Sequence, residues 1–128
     1  IQLDHAQRAV ACAIELDQWS RSFRIRQKEN NIKLGVTRIG VNTGDCVVGN
    51  FGGEKRFDYT AHGDAINSAA RLEAINQRFG TTICVSESTV KHCNGIYFRS
   101  VATLILRGKK LFITQEARVH KGQLRPKV

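Results

Sequence analysis

Apolar residues recur every three or four positions near the start of the chain, which is the spacing of an amphipathic helix. Asp4 is a suitable N-cap, and the polar run Glu29-Asn30-Asn31 predicts that the helix ends near Asn30. The apolar positions of this predicted helix are Val10, Ala13, Ile14, Leu16, Trp19 and Phe23.

Short runs rich in β-branched residues follow the first helix. Residues 34–42 and 45–50 are separated by Thr43-Gly44, so the sequence predicts a hairpin with a glycine-containing turn. The glycine-rich residues 51–53 are expected to form a connection, and residues 57–60 an extended segment.

A second helix is predicted from Gly63-Asp64 to Gly80, with Asp64 as its N-cap and Gly80 as a left-handed C-cap. The pattern then predicts a strand at residues 82–85 and a short helix that begins at Ser86. Two final strands are expected near residues 96–106 and 111–119, joined by a turn at residues 107–110. This order of elements is that of an α+β fold with a mostly antiparallel sheet.

Basic residues are concentrated near the end of the chain. The sequence has 20 Lys and Arg against 11 Asp and Glu, a net charge of +9, and residues 99–128 hold eight of the basic residues and one of the acidic ones. Such a surplus favours an anionic partner, for example nucleotide phosphate, nucleic acid or an acidic lipid surface.

Cysteine spacing and hydropathy exclude several classes of protein. Cys12, Cys46, Cys84 and Cys93 are too scattered for a disulfide scaffold, and no C-x-x-C pair is present for zinc. We expect reduced thiols in a cytoplasmic domain. No apolar run reaches the length of a membrane span. The length suits one domain, which is expected to be a segment of a longer protein because it starts at Ile1 and contains no methionine.

The second predicted helix carries an unusual polar face. At 100° per residue, Asn67, Arg71 and Arg78 fall within roughly 40° of one another. An amide and a guanidinium one turn apart can hold the sugar and the phosphate of one nucleotide, although solvated surface arginines give the same spacing. The expected buried stripe on the other side is Ala65, Ile66, Ala69 and Leu72.

Common phosphate-binding fingerprints are absent from the glycine-rich stretch. Gly44 and Gly49 have the spacing of a P-loop, but Asn50-Phe51 stands where that loop needs Lys and Ser or Thr, and no G-x-G-x-x-G occurs. Residues 40–52 instead follow G-(I/V)-x-x-G-x-(V/C)-V-x-G-N-x-G, and residues 56–73 follow R-x-D-Y-T-x-x-G-D-x-(V/I)-N-x-A-A-R-L-E. Both motifs resemble those of the class III nucleotidyl cyclase catalytic domain.

The resemblance implies a ferredoxin-like nucleotide cyclase fold with a mostly antiparallel sheet and helices packed on one face. It covers residues 1–119 as a partial catalytic domain and leaves residues 120–128 as a basic tail. It implies that Asn67 orients the ribose, and that Arg71 neutralises charge developing on the phosphates. Thr60 would accept a hydrogen bond from the adenine amino group, although a hydroxyl can also donate to a guanine oxygen. Lys109 would reach the triphosphate.

The resemblance also implies a reaction and its requirements. The intact parent protein would convert ATP to 3′,5′-cyclic AMP and pyrophosphate for signal transduction, with two Mg²⁺ or Mn²⁺ ions. In the family those ions are bound by two aspartates from a strand and a hairpin that precede the first helix, and this chain does not match that region. Asp45, Asp58 and Asp64 do not match the metal-binding context. No metal ligand is therefore assigned, and the chain alone is expected to be inactive.

Class III active sites lie between two catalytic domains arranged head to tail, so Asn67 and Arg71 would act on a nucleotide held partly by the partner domain. A homodimer, upstream regulatory domains and a cytoplasmic location are expected for the parent. A guanylate cyclase and a degenerate, non-catalytic cyclase-like module remain as alternatives. An RNA-binding domain would explain the basic tail, but the chain lacks the aromatic runs of RNA-stacking sheets, and no nucleic-acid partner is expected.

Overall fold

The computed structural model describes residues 2–106 and 109–115, with side chains described as far as Val101. The α+β class is confirmed, and the described part contains one more strand than predicted. In chain order the elements are α1 (His5–Glu29), β1 (Ile39–Val41), β2 (Val47–Gly53), β3 (Arg56–His62), α2 (Asp64–Phe79), β4 (Ile83–Ser86), α3 (Glu87–Val90), β5 (Arg99–Leu106) and β6 (Lys109–Gln115).

The strands form two separate sheets. Four of them pair in the order β1-β4-β6-β5, in which β1 and β4 are parallel and the other two pairings are antiparallel. The second sheet is the antiparallel pair β2-β3, whose register runs from Val47 opposite His62 to Gly53 opposite Arg56. A mostly antiparallel arrangement is thus confirmed.

The predicted hairpin between residues 34–42 and 45–50 is wrong. The first run contributes β1, which pairs with β4 instead, and Thr43-Gly44 lies in the segment that leads from one sheet to the other. The hairpin is formed by β2 and β3, with Glu54-Lys55 at its turn. Residues 51–53, expected to be a connection, therefore belong to a strand.

The first helix has the predicted extent, and of its six predicted apolar positions Val10, Ala13 and Ile14 are buried. Asp4 occupies the N-cap position without a side-chain capping hydrogen bond. Leu16 and Trp19 are 50% and 57% exposed, and the Trp19 ring stacks on Phe23 with centroids 4.9 Å apart. The buried residues of the helix are Ala6, Val10, Ala13, Ile14 and Asp17, and Leu16, Trp19 and Phe23 lie outside the face that they form.

The second helix also has the predicted bounds. Gly80 caps it in the left-handed conformation with φ 63°, as expected. The N-cap is Gly63 rather than Asp64, which is the first helical residue, and the φ of 147° at Gly63 favours glycine. The predicted stripe is partly wrong, because Ile66 is 41% exposed. The residues of this helix that are buried are Ser68, Leu72 and Asn76.

The helices lie on both faces of the four-stranded sheet. Side chains alternate along β4, so that Ile83 and Val85 pack with α1, whereas Cys84 packs with Leu72 of α2. The same alternation in β1 directs Gly40 toward α2. α1 and α2 therefore lie on opposite faces of the sheet, and the expectation that the helices pack on one face does not hold for α2. Ser86 caps α3 by accepting a hydrogen bond from the Thr89 amide, which agrees with the predicted helix start.

Two further expectations can be compared with the described part of the chain. None of its helices has both the length and the hydrophobicity to cross a bilayer. The predicted boundary between a domain at residues 1–119 and a tail at residues 120–128 falls outside the described residues and stays a prediction.

Candidate active site

Asn67 and Arg71 lie one turn apart on α2, and neither belongs to its buried residues Ser68, Leu72 and Asn76. Asn67 is exposed and Arg71 is half-buried, so neither side chain is enclosed in the core. The Arg71 guanidinium has no hydrogen-bond or ion-pair partner in the described part of the chain. Its five N–H donors are therefore available to an anionic ligand such as a phosphate. Arg78, two turns further along, is also exposed.

The position of α2 depends on a glycine in the neighbouring strand. A Cβ at Gly40 would overlap the carbonyl oxygen of Ala69 and crowd the amide nitrogen of Glu73. Only glycine allows the backbones of β1 and α2 to approach this closely. Gly40 therefore fixes the height at which α2, and the polar side chains on it, sit above the sheet.

Asn42 connects the end of β1 to the first turn of α2. Its Nδ2 donates to the Ala65 carbonyl at 3.0 Å, and its Oδ1 accepts from Ser88 Oγ at 3.2 Å. The amide thus links β1, α2 and α3 just before Asn67. Asn42 stands at a variable position of the sequence motif, so the sequence analysis gave it no role. The one sign of a role was that a polar residue directly follows the apolar residues of a strand.

A cluster of hydrogen-bonded hydroxyl groups lies next to Asn42. Thr43 Oγ1 lies 2.8 Å from Thr89 Oγ1, and Ser86 Oγ lies 2.8 Å from Ser88 Oγ and 3.1 Å from Thr89 Oγ1. These groups follow the carboxyl ends of the parallel strands β1 and β4. Because buried hydroxyls must be paired, the cluster restrains the loop that leads from β1 toward the hairpin.

Thr60 is exposed on the β2-β3 hairpin, opposite Gly49. Strand alternation places it on the same face as Phe51 and His62. Phe51 Cε2 would lie 3.8 Å from a Cβ at Gly49, and the ring meets His62 edge to face with centroids 4.4 Å apart. The hydroxyl that is predicted to recognise the base therefore shares its face with an aromatic ring.

The opposite face of the hairpin is apolar and open. Phe57 is 67% exposed, Tyr59 is 76% exposed and Val48 is 54% exposed. Strand alternation and the β2-β3 register put these three side chains together on one face. No other part of the described chain covers them.

Lys109 is the first residue of β6, where it pairs with Leu106 of β5. Lys109 and Lys110, which were predicted to lie in the turn at residues 107–110, belong to the strand. The side chain of Lys109 lies outside the described residues, so its predicted contact with a triphosphate stays a prediction.

The acidic residues near the site do not form a metal centre. Asp45 lies in the loop before β2, Asp58 in β3 and Asp64 at the start of α2, and all three are exposed. Among the described residues no group of three or more His, Cys, Asp or Glu could hold a metal ion. The residues described here therefore do not fit a divalent-ion site by themselves.

The four cysteines are free, as expected for reduced thiols. Burial raises the pKa of the Cys84 thiol, and a hydrogen bond with the Thr81 side chain opposes that shift. At neutral pH the thiol is protonated, so Cys84 is a packing residue between β4 and α2 and not a nucleophile.

Comparison with known proteins decides the family. The family model described as the adenylate and guanylate cyclase catalytic domain matches residues 1–117 of the sequence. The chain belongs to this family. Adenylate cyclase 1 of Rhizobium meliloti (strain 1021) is 35% identical over 106 residues, covering 82% of this chain and 16% of the relative. The adenylate cyclase of Anabaena cylindrica is 33% identical over 88 residues, covering 66% of this chain and 18% of the relative.

Solved cyclase structures agree with the fold. The adenylyl cyclase CyaB from P. aeruginosa superimposes with a TM-score of 0.78 at 27% identity, covering 94% of this chain and 63% of that one. The guanylyl cyclase Cya2 gives a TM-score of 0.77 at 28% identity, covering 94% of this chain and 62% of that one. The predicted cyclase fold is confirmed. The cyclase chain described here spans under a fifth of the curated relatives named above.

Proposed function

We propose that this cyclase domain segment contributes the ribose- and phosphate-binding helix of a longer protein that converts ATP to 3′,5′-cyclic AMP and pyrophosphate. The observation that carries the proposal is that Asn67 and Arg71 lie one turn apart on α2, with the Arg71 guanidinium unpartnered among the described residues. The names of the two bacterial relatives support ATP as the substrate. The similarity to a guanylyl cyclase keeps GTP as the second candidate.

The reaction joins the ribose 3′-oxygen to the α-phosphorus and breaks the bond to pyrophosphate. Negative charge grows on the phosphate oxygens as pyrophosphate leaves, and a guanidinium directed at those oxygens stabilises the transition state more than the ground state. Arg71 takes this role in the proposal. Asn67, one turn earlier, binds the ribose and keeps its 3′-oxygen near the phosphorus.

Base recognition is assigned to Thr60. Its hydroxyl accepts a hydrogen bond from the adenine amino group, and the Phe51 ring on the same face of the hairpin offers an apolar surface to the purine. Lys109 is assigned to the triphosphate because it matches the basic residue that the family has between the last two strands, and here it begins β6. Both assignments follow from the family resemblance, and the exposure of Thr60 supports the first of them.

The proposal includes a head-to-tail dimer of catalytic domains. The open apolar face formed by Val48, Phe57 and Tyr59 supports it, because such a face is stabilised when a partner covers it. Two Mg²⁺ or Mn²⁺ ions belong to the intact domain in this proposal, with ligands outside the described residues. The segment alone is then inactive. Upstream regulatory domains, a cytoplasmic location and a role in signalling complete the proposal.

The decisive experiment is replacement of Arg71 in the intact protein. Arg71→Ala should lower kcat about 10²- to 10³-fold, by analogy with the loss of one oxyanion-stabilising donor, or roughly 2.7–4 kcal/mol. Arg78→Ala is the matched control, because it removes an exposed arginine from the same helix and should change kcat less than threefold. A loss under threefold for Arg71→Ala would refute the proposed role. Nucleotide binding by an intact protein that forms no cyclic nucleotide would favour the non-catalytic alternative.

A further inference from the structure

An arginine-lined cleft lies at the amino ends of the parallel strands β1 and β4. Its volume is about 430 Å³, within the range of small-molecule sites. Its walls come from three segments: α1, the residues just before β1, and the end of α2 with the start of β4. Arg21, Arg24 and Arg38 line it, and Asp17 is the one carboxylate among the described residues that line it.

The three arginines differ in how they are held. Arg21 donates from Nε to Asp17 Oδ2 at 2.9 Å and from Nη2 to Thr82 Oγ1 at 3.1 Å, so its position is fixed. Arg24 and Arg38 are half-buried, and within the described residues neither has a hydrogen-bond or ion-pair partner. Partial burial of an unpaired guanidinium costs free energy that an anionic ligand would offset.

We propose that this cleft binds a small soluble molecule carrying phosphate groups. Guanidiniums from α1 and from the segment before β1 approach the space from different directions, and a tetrahedral dianion can accept from several sides at once. A carboxylate carries one charge and accepts in a plane. The carbonyl end of α2 opposes anion binding, but its partial charge is about half a unit, whereas the three arginines exceed Asp17 by two charges.

This site is separate from the proposed active site. Asn67 and Gln77 are both on α2, and Gln77 lines the cleft. Ten helical residues separate them, which is about 15 Å along the axis. The cleft lies at the amino ends of β1 and β4, whereas Asn42 and the hydroxyl cluster follow their carboxyl ends. Binding in the cleft therefore does not depend on the proposed cyclase activity.

Equilibrium dialysis with radiolabelled pyrophosphate would test the proposal. The intact protein should carry Arg71→Ala and be kept free of divalent ions with EDTA, and any pyrophosphate still bound at the active site is a background common to all the variants compared. We expect saturable binding that Arg24→Gln and Arg38→Gln each weaken about tenfold or more. Arg26→Gln is the matched control, because Arg26 is an exposed residue of the same helix outside the cleft, and it should change the Kd less than twofold. Arg38→Lys keeps the positive charge but lacks the planar guanidinium, so its Kd should lie between those of the protein with Arg38 and of Arg38→Gln.

Four results would overturn the proposal. The first is binding that neither Arg24→Gln nor Arg38→Gln weakens, with circular dichroism showing both variants folded. The second is equal weakening by Arg26→Gln, which would show non-specific attraction to surface charge. The third is displacement of pyrophosphate by an equal concentration of malonate, which would replace the phosphate assignment by a carboxylate. The fourth is binding to phosphatidic acid vesicles without binding to pyrophosphate, which would show that the ligand is a lipid headgroup and not a soluble molecule.

Discussion

Thr81 Oγ1 donates a 2.6 Å hydrogen bond to Oδ1 of Asn76, and both residues are buried where α2 ends against the sheet. On its other side, Asn76 Nδ2 donates to the Ile39 carbonyl at 3.0 Å. One amide thus joins the end of α2 to the starts of β1 and β4. It adds side-chain links to the two backbone hydrogen bonds at this junction, from the Ile39 amide to the Thr82 carbonyl and from the Thr81 amide to the Asn76 carbonyl.

Asn76→Ala should destabilise the protein strongly. The substitution leaves the Thr81 hydroxyl and the Ile39 carbonyl without this partner in a buried setting, and each unsatisfied group costs about 1–3 kcal/mol. We expect a loss of roughly 2–4 kcal/mol in the free energy of unfolding, measured by urea denaturation. Gln77→Ala is the control: it replaces the exposed neighbouring residue and should change the free energy of unfolding by no more than about 0.5 kcal/mol. Equal effects of the two substitutions would contradict the role of the amide.

Gly40→Ala should be destabilising because the new methyl group would overlap backbone atoms of α2. The Ala69 carbonyl cannot move aside without shifting the helix, so we expect a loss of about 1–3 kcal/mol in the free energy of unfolding. Gly35→Ala is the control, since a Cβ there meets nothing within 4 Å. Thermal unfolding monitored by circular dichroism compares the two. A neutral Gly40→Ala would mean that α2 does not sit this close to β1.

The helix bounds could be predicted because they depend on neighbouring residues. Gly63 and Gly80 adopt positive φ at the two ends of α2, and glycine accepts that conformation whatever packs around it. The shared open side of Asn67 and Arg71 likewise follows from helical spacing alone. These features need no knowledge of distant contacts.

Strand pairing and buried amides could not be predicted in the same way. The parallel pairing of Ile39 with Ile83 joins segments that are far apart in sequence, whereas Thr43-Gly44 has the local composition of a hairpin turn. Asn76 is fully buried while Ile66 is 41% exposed, which reverses the usual preference of both residue types. Tertiary contacts determine such cases, and the sequence of α2 contains no sign of them.

Thr60→Asp separates the two candidate substrates. A carboxylate keeps the ability to accept a hydrogen bond from the adenine amino group but cannot donate to a guanine oxygen. If Thr60 recognises adenine, the variant should retain kcat/KM for ATP within about tenfold and lose activity with GTP. Thr60→Val removes both functions and should lower kcat/KM for either nucleotide, by roughly 1–3 kcal/mol. Loss of ATP activity with retention of GTP activity in Thr60→Asp would reassign the substrate to GTP.

Mixing two inactive proteins tests whether Arg71 acts on a nucleotide held partly by a partner domain. The intact protein with Arg71→Ala lacks the guanidinium, and the 128-residue chain is proposed to lack metal ligands. A head-to-tail heterodimer would combine the remaining groups of both in one site, so cyclic AMP should form on mixing. The same chain carrying Arg71→Ala is the control and should restore nothing. Sedimentation analysis must show the heterodimer, and a heterodimer that forms without restoring cyclic AMP production would exclude action across the interface.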